Sequence, residues 1–269
     1  MAARLFSALA VAGVAVTANF LAACSRAPAA TVSAAAASEA PTSRPFALVE
    51  LYTSEGCSSC PPADAVLRDI ARDARARASD VYALSFHVDY WNELGWADPF
   101  SKAAFTARQR AYANARRERS VYTPQMIVNG GVELNGSDAE GARRAIDQAL
   151  HAESPSVTLS IEARIEGGAV TVYFESAGAP SGAILSLALV EASTSSQVER
   201  GENKGRYLEH SNVVRAFASG PLDVGTGESA RTRSVPWNAP RAAHEALEVV
   251  AWIQDASTMR VLAAARTKP

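Results

Sequence analysis

Apolar and polar positions alternate in two different textures along this chain. Residues 46–52 (FALVELY) and 81–86 (VYALSF) are short, nearly unbroken apolar runs, the pattern of strands covered on both faces, as in parallel sheets. Glu50 interrupts the first run, and a carboxylate in such a strand needs a partner, a water path or a chemical task, because an unpaired buried charge is costly. Between the runs, residues 63–79 place Val66, Leu67, Ile70, Ala71 and Ala74 on one face, which predicts an amphipathic helix. A long helix is expected over about 100–117, with Asp98 as its N-cap and Pro99 in its first turn. Phe100, Ala107 and Tyr112 would point inward, and the arginines from Arg108 to Arg119 would form a solvated face. Asn129-Gly130 between apolar runs predicts a hairpin, and Ser137 with Glu140 predicts a capping box for a helix reaching about residue 151. This order is an α/β pattern whose first part is parallel.

From Pro155 the texture changes to short period-two strands separated by turns, over residues 157–165, 170–175, 184–191, 213–218, 231–235, 247–254 and 259–266. About seven such strands suggest an all-β immunoglobulin-like sandwich without its disulfide. Residues 195–211 read as a long, polar, charge-rich connection. Within and just beyond it, Arg200, Glu202, Asn203, Arg206, His210 and Asn212 are expected to organise the junction of the two parts through hydrogen bonds.

Composition adds bounds. The 269 residues are 48% hydrophobic and 20% charged, as in soluble globular proteins. A net charge of -2 and a sequence pI of about 6.1 offer no reason to expect nucleic acid binding. At the N-terminus, Arg4 precedes an apolar stretch ending in Leu21-Ala-Ala-Cys24, which resembles a bacterial lipoprotein signal with Cys24 as the acylated residue. An ordinary secretory signal and an uncleaved anchor are the other readings. Residues 1–23 are then the signal and residues 24–45, rich in Ala, Ser, Pro and Thr, a flexible tether that cannot bury a core. The expected location is the periplasm, lipid-anchored to a bacterial membrane, with the outer membrane favoured because Ser25 does not resemble the inner-membrane retention signal.

The candidate chemistry lies at Cys57-Ser-Ser-Cys60, followed by Pro61 and Pro62. This spacing lets both thiols sit at a helix start, where free N–H groups and the helix dipole favour thiolate. With Cys24 acylated, Cys57 and Cys60 have only each other, and an oxidising compartment would pair them. Because α/β sites collect at the carboxyl ends of strands, Cys57, His87 and Asp89 should face one crevice.

With those residues in place, residues 46–152 resemble a thioredoxin-like domain, with a helical insertion over about 90–119 and with residues 153–269 as the sandwich. The stretches LYTSEGCSSCPPAD, FHVDYWNELGWADPFS, YTPQMIVNG and ERGENKGRYLEHSNVV are further similar to an uncharacterised family of secreted bacterial thioredoxin-like proteins. The resemblance implies an exposed nucleophile in Cys57, a resolving Cys60, and a cis proline at Thr123-Pro124 beside the disulfide that binds substrate. It also implies that Glu50 acts as a buried acid for the Cys60 proton. His87, oriented by Asp89, could support the thiolate, and Trp91 and Trp96 lie in an unusually aromatic loop near the site.

The function these residues indicate is a thiol-disulfide oxidoreductase without an organic cofactor. It would act on disulfide- or thiol-bearing envelope proteins with a redox partner. A Cu(I) carrier using Cys57, Cys60 and His87, and a scaffold with a structural disulfide, are the alternatives.

Overall fold

A computed structural model describes residues 44–166, 169–222, 231–236 and 247–269. The expected signal, Cys24 and the tether up to residue 43 lie outside the described residues.

The first apolar run forms β1 (Ala47–Thr53) and the second forms β2 (Val81–His87), joined through α1 (Pro61–Ala76) and paired in parallel from Ala47 opposite Val81 to Thr53 opposite His87. Every residue of both strands is buried, as their unbroken apolar pattern requires. On one face Ala47, Val49 and Leu51 pack with Ala63, Leu67 and Ala71 of α1. On the other, Leu48 and Tyr52 pack with Phe105 and Tyr112 of α2 (Ala103–Arg116). A hairpin of β3 (Gln125–Val128) and β4 (Val132–Asn135) pairs antiparallel to β1 and is followed by α3 (Ala139–Leu150). Its Asn129-Gly130 turn has φ of 47° and 66°, and a Cβ at Gly130 would lie 1.9 Å from the Met259 carbonyl oxygen, so only glycine fits. The capping box at Ser137 is not formed. Asp138 is the N-cap of α3, and its carboxylate accepts from the Gly141 amide at 2.9 Å.

The expected thioredoxin-like domain followed by a separate immunoglobulin-like sandwich is overturned by the strand order. In the second half, β7 (Ile184–Gln197), β8 (Tyr207–Pro221), β10 (Leu247–Gln254) and β11 (Val261–Thr267) join the first four strands in one mixed eight-stranded sheet, ordered β11-β10-β7-β8-β2-β1-β3-β4. The seam is the parallel bridge of Ser85 on β2 with Val213 on β8. Three further strands, β5 (Thr158–Glu166), β6 (Ala169–Ala177) and β9 (Arg231–Pro236), form a small antiparallel sheet. That sheet packs Val170, Val172 and Phe174 against Leu185, Leu187 and Val249 of the large one. The described residues therefore form a single, mostly-β α/β unit with three α-helices.

The physical reason lies in β7 and β10. Leu185, Leu187 and Leu189 face the small sheet, while Ala188 and Val190 share the core of β1, β2 and α2. Trp252 on β10 is likewise buried among first-half side chains, with Val249 and Ala251 on the opposite face. Strands apolar on both sides belong in the interior of a layered fold, not at the face of a free sandwich.

One polar group fastens the halves from inside. Arg108 of α2, expected on the solvated face, is buried and donates to Glu50 from Nε at 2.6 Å and from Nη2 at 2.8 Å. Its guanidinium carbon lies 4.8 Å from the Trp252 ring centroid, 5.2 Å from Phe217 and 5.2 Å from Tyr112. Burial alone would lower the Arg108 pKa, but Glu50, with Tyr112 and Tyr52, outweighs this and holds it above its usual range.

Candidate functional site

The carboxyl ends of β1 and β2 meet the start of α1, and there Cys57 and Cys60 form a disulfide with Cα atoms 5.4 Å apart. Cys60 is the N-cap residue of α1, with prolines in the first turn where no N–H is needed, and Cys57 lies in the preceding turn. Against expectation, Cys57 is fully buried, as is Cys60, and only Ser58 and Ser59 between them are exposed.

Three segments cover the disulfide. Thr123, joined to Pro124 by a cis peptide bond, donates its hydroxyl to Cys57 Sγ at 3.3 Å. Ser59 Oγ lies 3.3 Å from the same sulfur. Trp91 donates its indole N–H to Thr123 Oγ1 at 2.8 Å, and its Cβ lies 3.0 Å from where a Gly56 side chain would begin. The third segment is the tip between β7 and β8. Asn203 donates from Nδ2 to the carbonyls of Glu55 (2.8 Å) and Cys57 (2.9 Å), and the exposed Glu202 accepts from the Ser58 amide at 2.9 Å. The region read as a polar connection over 195–211 is thus the paired ends of two long strands, in register from Ser193–Ser211 to Gln197–Tyr207, joined by a shorter connection over 198–206. Its hydrophilic sequence reflects a ribbon that leaves the layered core and reaches to the cysteine turn.

Below that turn is a sealed set of ionisable groups. Glu55 accepts from Trp96 Nε1 at 2.7 Å and from the Ser196 hydroxyl, and it pairs with His210 Nε2 at 3.0 Å. His87 Nδ1 pairs with Asp98 at 2.7 Å, and Asp98 also accepts from the amides of Glu55 and Phe100, each at 2.8 Å. The His87 and His210 rings stand edge to face, 4.7 Å between centroids. Asp64, in the first turn of α1, accepts from Thr53 Oγ1 at 2.8 Å and lies 3.7 Å from His210 Nδ1. Burial alone would lower the His87 pKa, but the charge and hydrogen bond of Asp98 hold it above the usual value. Burial would raise Asp98, yet His87 and two backbone amides hold it below the usual carboxylate value. Burial pushes Asp64 up, with His210 and His87 offsetting only part of that rise.

The site residues expected from the sequence separate into two groups. Cys57, Cys60, Thr123, Pro124, Trp91, Trp96 and His87 are brought to this end of the sheet. Asp89 is not the partner of His87. It accepts from the Thr106 hydroxyl at 2.5 Å, because the chain turns after β2 and Asp98 returns to the imidazole. Asp98 consequently serves the site and not the start of α2, which begins later, at Ala103. Glu50 lies in the separate Arg108 cluster, where its described hydrogen bonds run to Tyr52, Arg108 and Tyr112. Sequence reasoning missed Asp64, Glu55 and Asp98 as site residues. The i,i+4 spacing of Cys60 and Asp64 was the available signal for the first.

Comparison with curated protein sequences finds no match. Among solved structures, an X-ray crystal structure of a protein from Agrobacterium tumefaciens is 28% identical, covering 84% of this chain and 95% of that one, with a TM-score of 0.59. HBP35 of Porphyromonas gingivalis is 13% identical over 85% of this chain and 76% of that one, with a TM-score of 0.63, a likeness of fold alone. Residues 48–254 match the family described as protein of unknown function DUF1223, and the chain belongs to that family.

Proposed function

We propose that the protein is a thiol-disulfide oxidoreductase in which Cys57 exchanges with an external thiol or disulfide and Cys60 resolves the mixed disulfide. The observation that carries this reading is the pair of hydroxyls, Thr123 Oγ1 and Ser59 Oγ, each 3.3 Å from Cys57 Sγ at the mouth of α1. Donors aimed at a sulfur contribute little to a disulfide, but they stabilise the thiolate that appears when it opens. Reaction requires Glu202 and Asn203 to release the cysteine turn, since the sulfur is otherwise covered. The test is catalysis: the reduced protein at substoichiometric concentration should accelerate glutathione-driven reduction of a model peptide disulfide. Cys57→Ser should abolish that acceleration, and equal rates with and without the wild-type protein would refute the reading.

A second reading, a structural disulfide in an interaction scaffold, is favoured by the complete burial of both cysteines. The copper-carrier alternative gains no support. Among the described residues no group of three or more His, Cys, Asp or Glu is placed to hold a metal, and His87 is engaged by Asp98. The Leu21-Ala-Ala-Cys24 sequence supports action in the bacterial envelope from a lipid anchor, on disulfide-bearing envelope proteins. Incorporation of labelled fatty acid in wild type and not in Cys24→Ser tests that location.

A further inference from the structure

The cluster beneath the disulfide contains three carboxylates, Glu55, Asp64 and Asp98, against two imidazoles, His87 and His210, all buried. Even with both imidazoles charged, one carboxylate lacks a counter-charge. His87 pairs with Asp98 at 2.7 Å and His210 with Glu55 at 3.0 Å, so the surplus acid is Asp64, 3.7 Å from His210 Nδ1. Thr53 donates to it, but an ionised carboxylate without a close counter-charge is costly in such a place, and a proton on Asp64 removes the cost. Asp64 is also one helical turn beyond Cys60. Its amide donates to the Cys60 carbonyl at 3.1 Å, and side chains at this spacing stand on one face with Cβ atoms about 5–6 Å apart. No other carboxylate shares a helix face with either cysteine among the described residues of α1.

We propose that Asp64 is the proton donor to Cys60 when the disulfide is reduced, an assignment that rests on the oxidoreductase reading. An external thiolate attacks Cys57 Sγ and forms a mixed disulfide as the Cys57–Cys60 bond breaks. The electron pair goes to Cys60 Sγ, and the proton moves from the Asp64 carboxyl to that sulfur. The products are Cys60 thiol and Asp64 carboxylate, which now faces His210, with His87, Glu55 and Asp98 behind it and Thr53 donating to it. A second external thiol then releases Cys57, so that two thiols are oxidised to one disulfide as the protein disulfide is reduced. In the opposite direction Asp64 takes the Cys60 proton before Cys60 attacks. His210, carried on the long β7–β8 ribbon, is the positioning residue that faces this proton.

The test is the rate of reduction of the full-length oxidised protein by dithiothreitol, divided by the thiolate fraction of the reductant, from pH 5 to pH 9. At pH 5, Asp64→Asn should be slower than wild type by about 100-fold, the usual contribution of a positioned acid. The wild-type advantage should shrink at least tenfold toward pH 9 as Asp64 ionises, and Asp64→Glu should restore the pH dependence. A ratio constant across this range, the behaviour of a purely structural residue, would overturn the proposal. Should Asp64→Asn not fold, the wild-type profile decides alone, because a thiolate-corrected rate that is flat with pH also overturns it. Either result in a protein that still catalyses disulfide exchange sinks the Asp64 role only, whereas absence of exchange in wild type sinks both readings.

Discussion

Arg108→Met tests the claim that Glu50 and Arg108 join the halves of the sheet and take no part in redox chemistry. The substitution keeps most of the aliphatic volume and removes a guanidinium that makes two hydrogen bonds to Glu50, at 2.6 and 2.8 Å, inside a ring of aromatic side chains. Breaking one partner of a buried pair costs about 3–5 kcal/mol, because the other charge stays buried. Tyr52 and Tyr112 still donate to Glu50, at 2.9 and 2.6 Å, which places the expected loss near the lower bound, about 3 kcal/mol. That is a large share of a typical stability of about 5–15 kcal/mol and corresponds to a fall in Tm of roughly 6–12 °C for a protein of this size. Urea unfolding followed by tryptophan fluorescence measures it, with a lowered midpoint and an unchanged slope. The double variant Glu50→Gln/Arg108→Met should recover part of the loss, and disulfide exchange by the folded single variant should stay within about twofold of wild type. A cost below about 1 kcal/mol, or a collapse of exchange in protein that remains folded, would refute this assignment.

The His87–Asp98 pair gives a pH signature. His87 is held above its usual 6.5, so its contribution to stability is complete below pH 6.5 and is lost as pH rises through the higher folded value. Asp98 is held below its usual 3.8, so its contribution is present above pH 3.8 and is lost as pH falls through the lower folded value. The stability difference between wild type and Asp98→Asn, measured by urea unfolding at a series of pH values, should peak between these limits and narrow on both sides. A constant difference from pH 3 to pH 9 would contradict the pairing. Asn203→Ala removes the two hydrogen bonds from Asn203 to the cysteine turn, should cost about 1–3 kcal/mol of stability because two buried carbonyls lose their donor, and should speed reduction by dithiothreitol about tenfold in the folded protein. An unchanged rate would show that the tip does not limit access. Asp89→Ala should cost about 1 kcal/mol through its lost Thr106 contact and leave the pH profile of reduction unaltered, as followed by thermal melts and reduction kinetics.

The local elements were largely legible because their signals are local. The apolar runs gave β1 and β2, the i,i+3,i+4 pattern gave α1, and Asn129-Gly130 gave the β3–β4 hairpin. What failed was the assembly of those elements. The strand at 184–191 lies among turn-rich segments, and nothing in its own pattern states that Ala188 and Val190 share a core with Leu84 and Phe86. Arg108 sits in a run of arginines, and composition cannot distinguish the one that turns inward to Glu50. Asp98-Pro99 carries the ordinary mark of a helix start, yet its carboxylate is drawn to an imidazole eleven residues earlier. The 195–211 segment reads as a loop because its side chains face solvent and the cysteine turn, although its two ends are paired strands and only 198–206 connects them. Each miss concerns a tertiary partner, which overrides local preference without leaving a local trace.

The most direct measurement is the reduction potential of the Cys57–Cys60 disulfide, from equilibrium with glutathione or dithiothreitol buffers and alkylation of the free thiols. Oxidoreductase action predicts a potential above about -300 mV, within reach of cellular thiols. A value well below that, in a protein that also fails to accelerate exchange, would contradict the account and leave the disulfide as a structural bond.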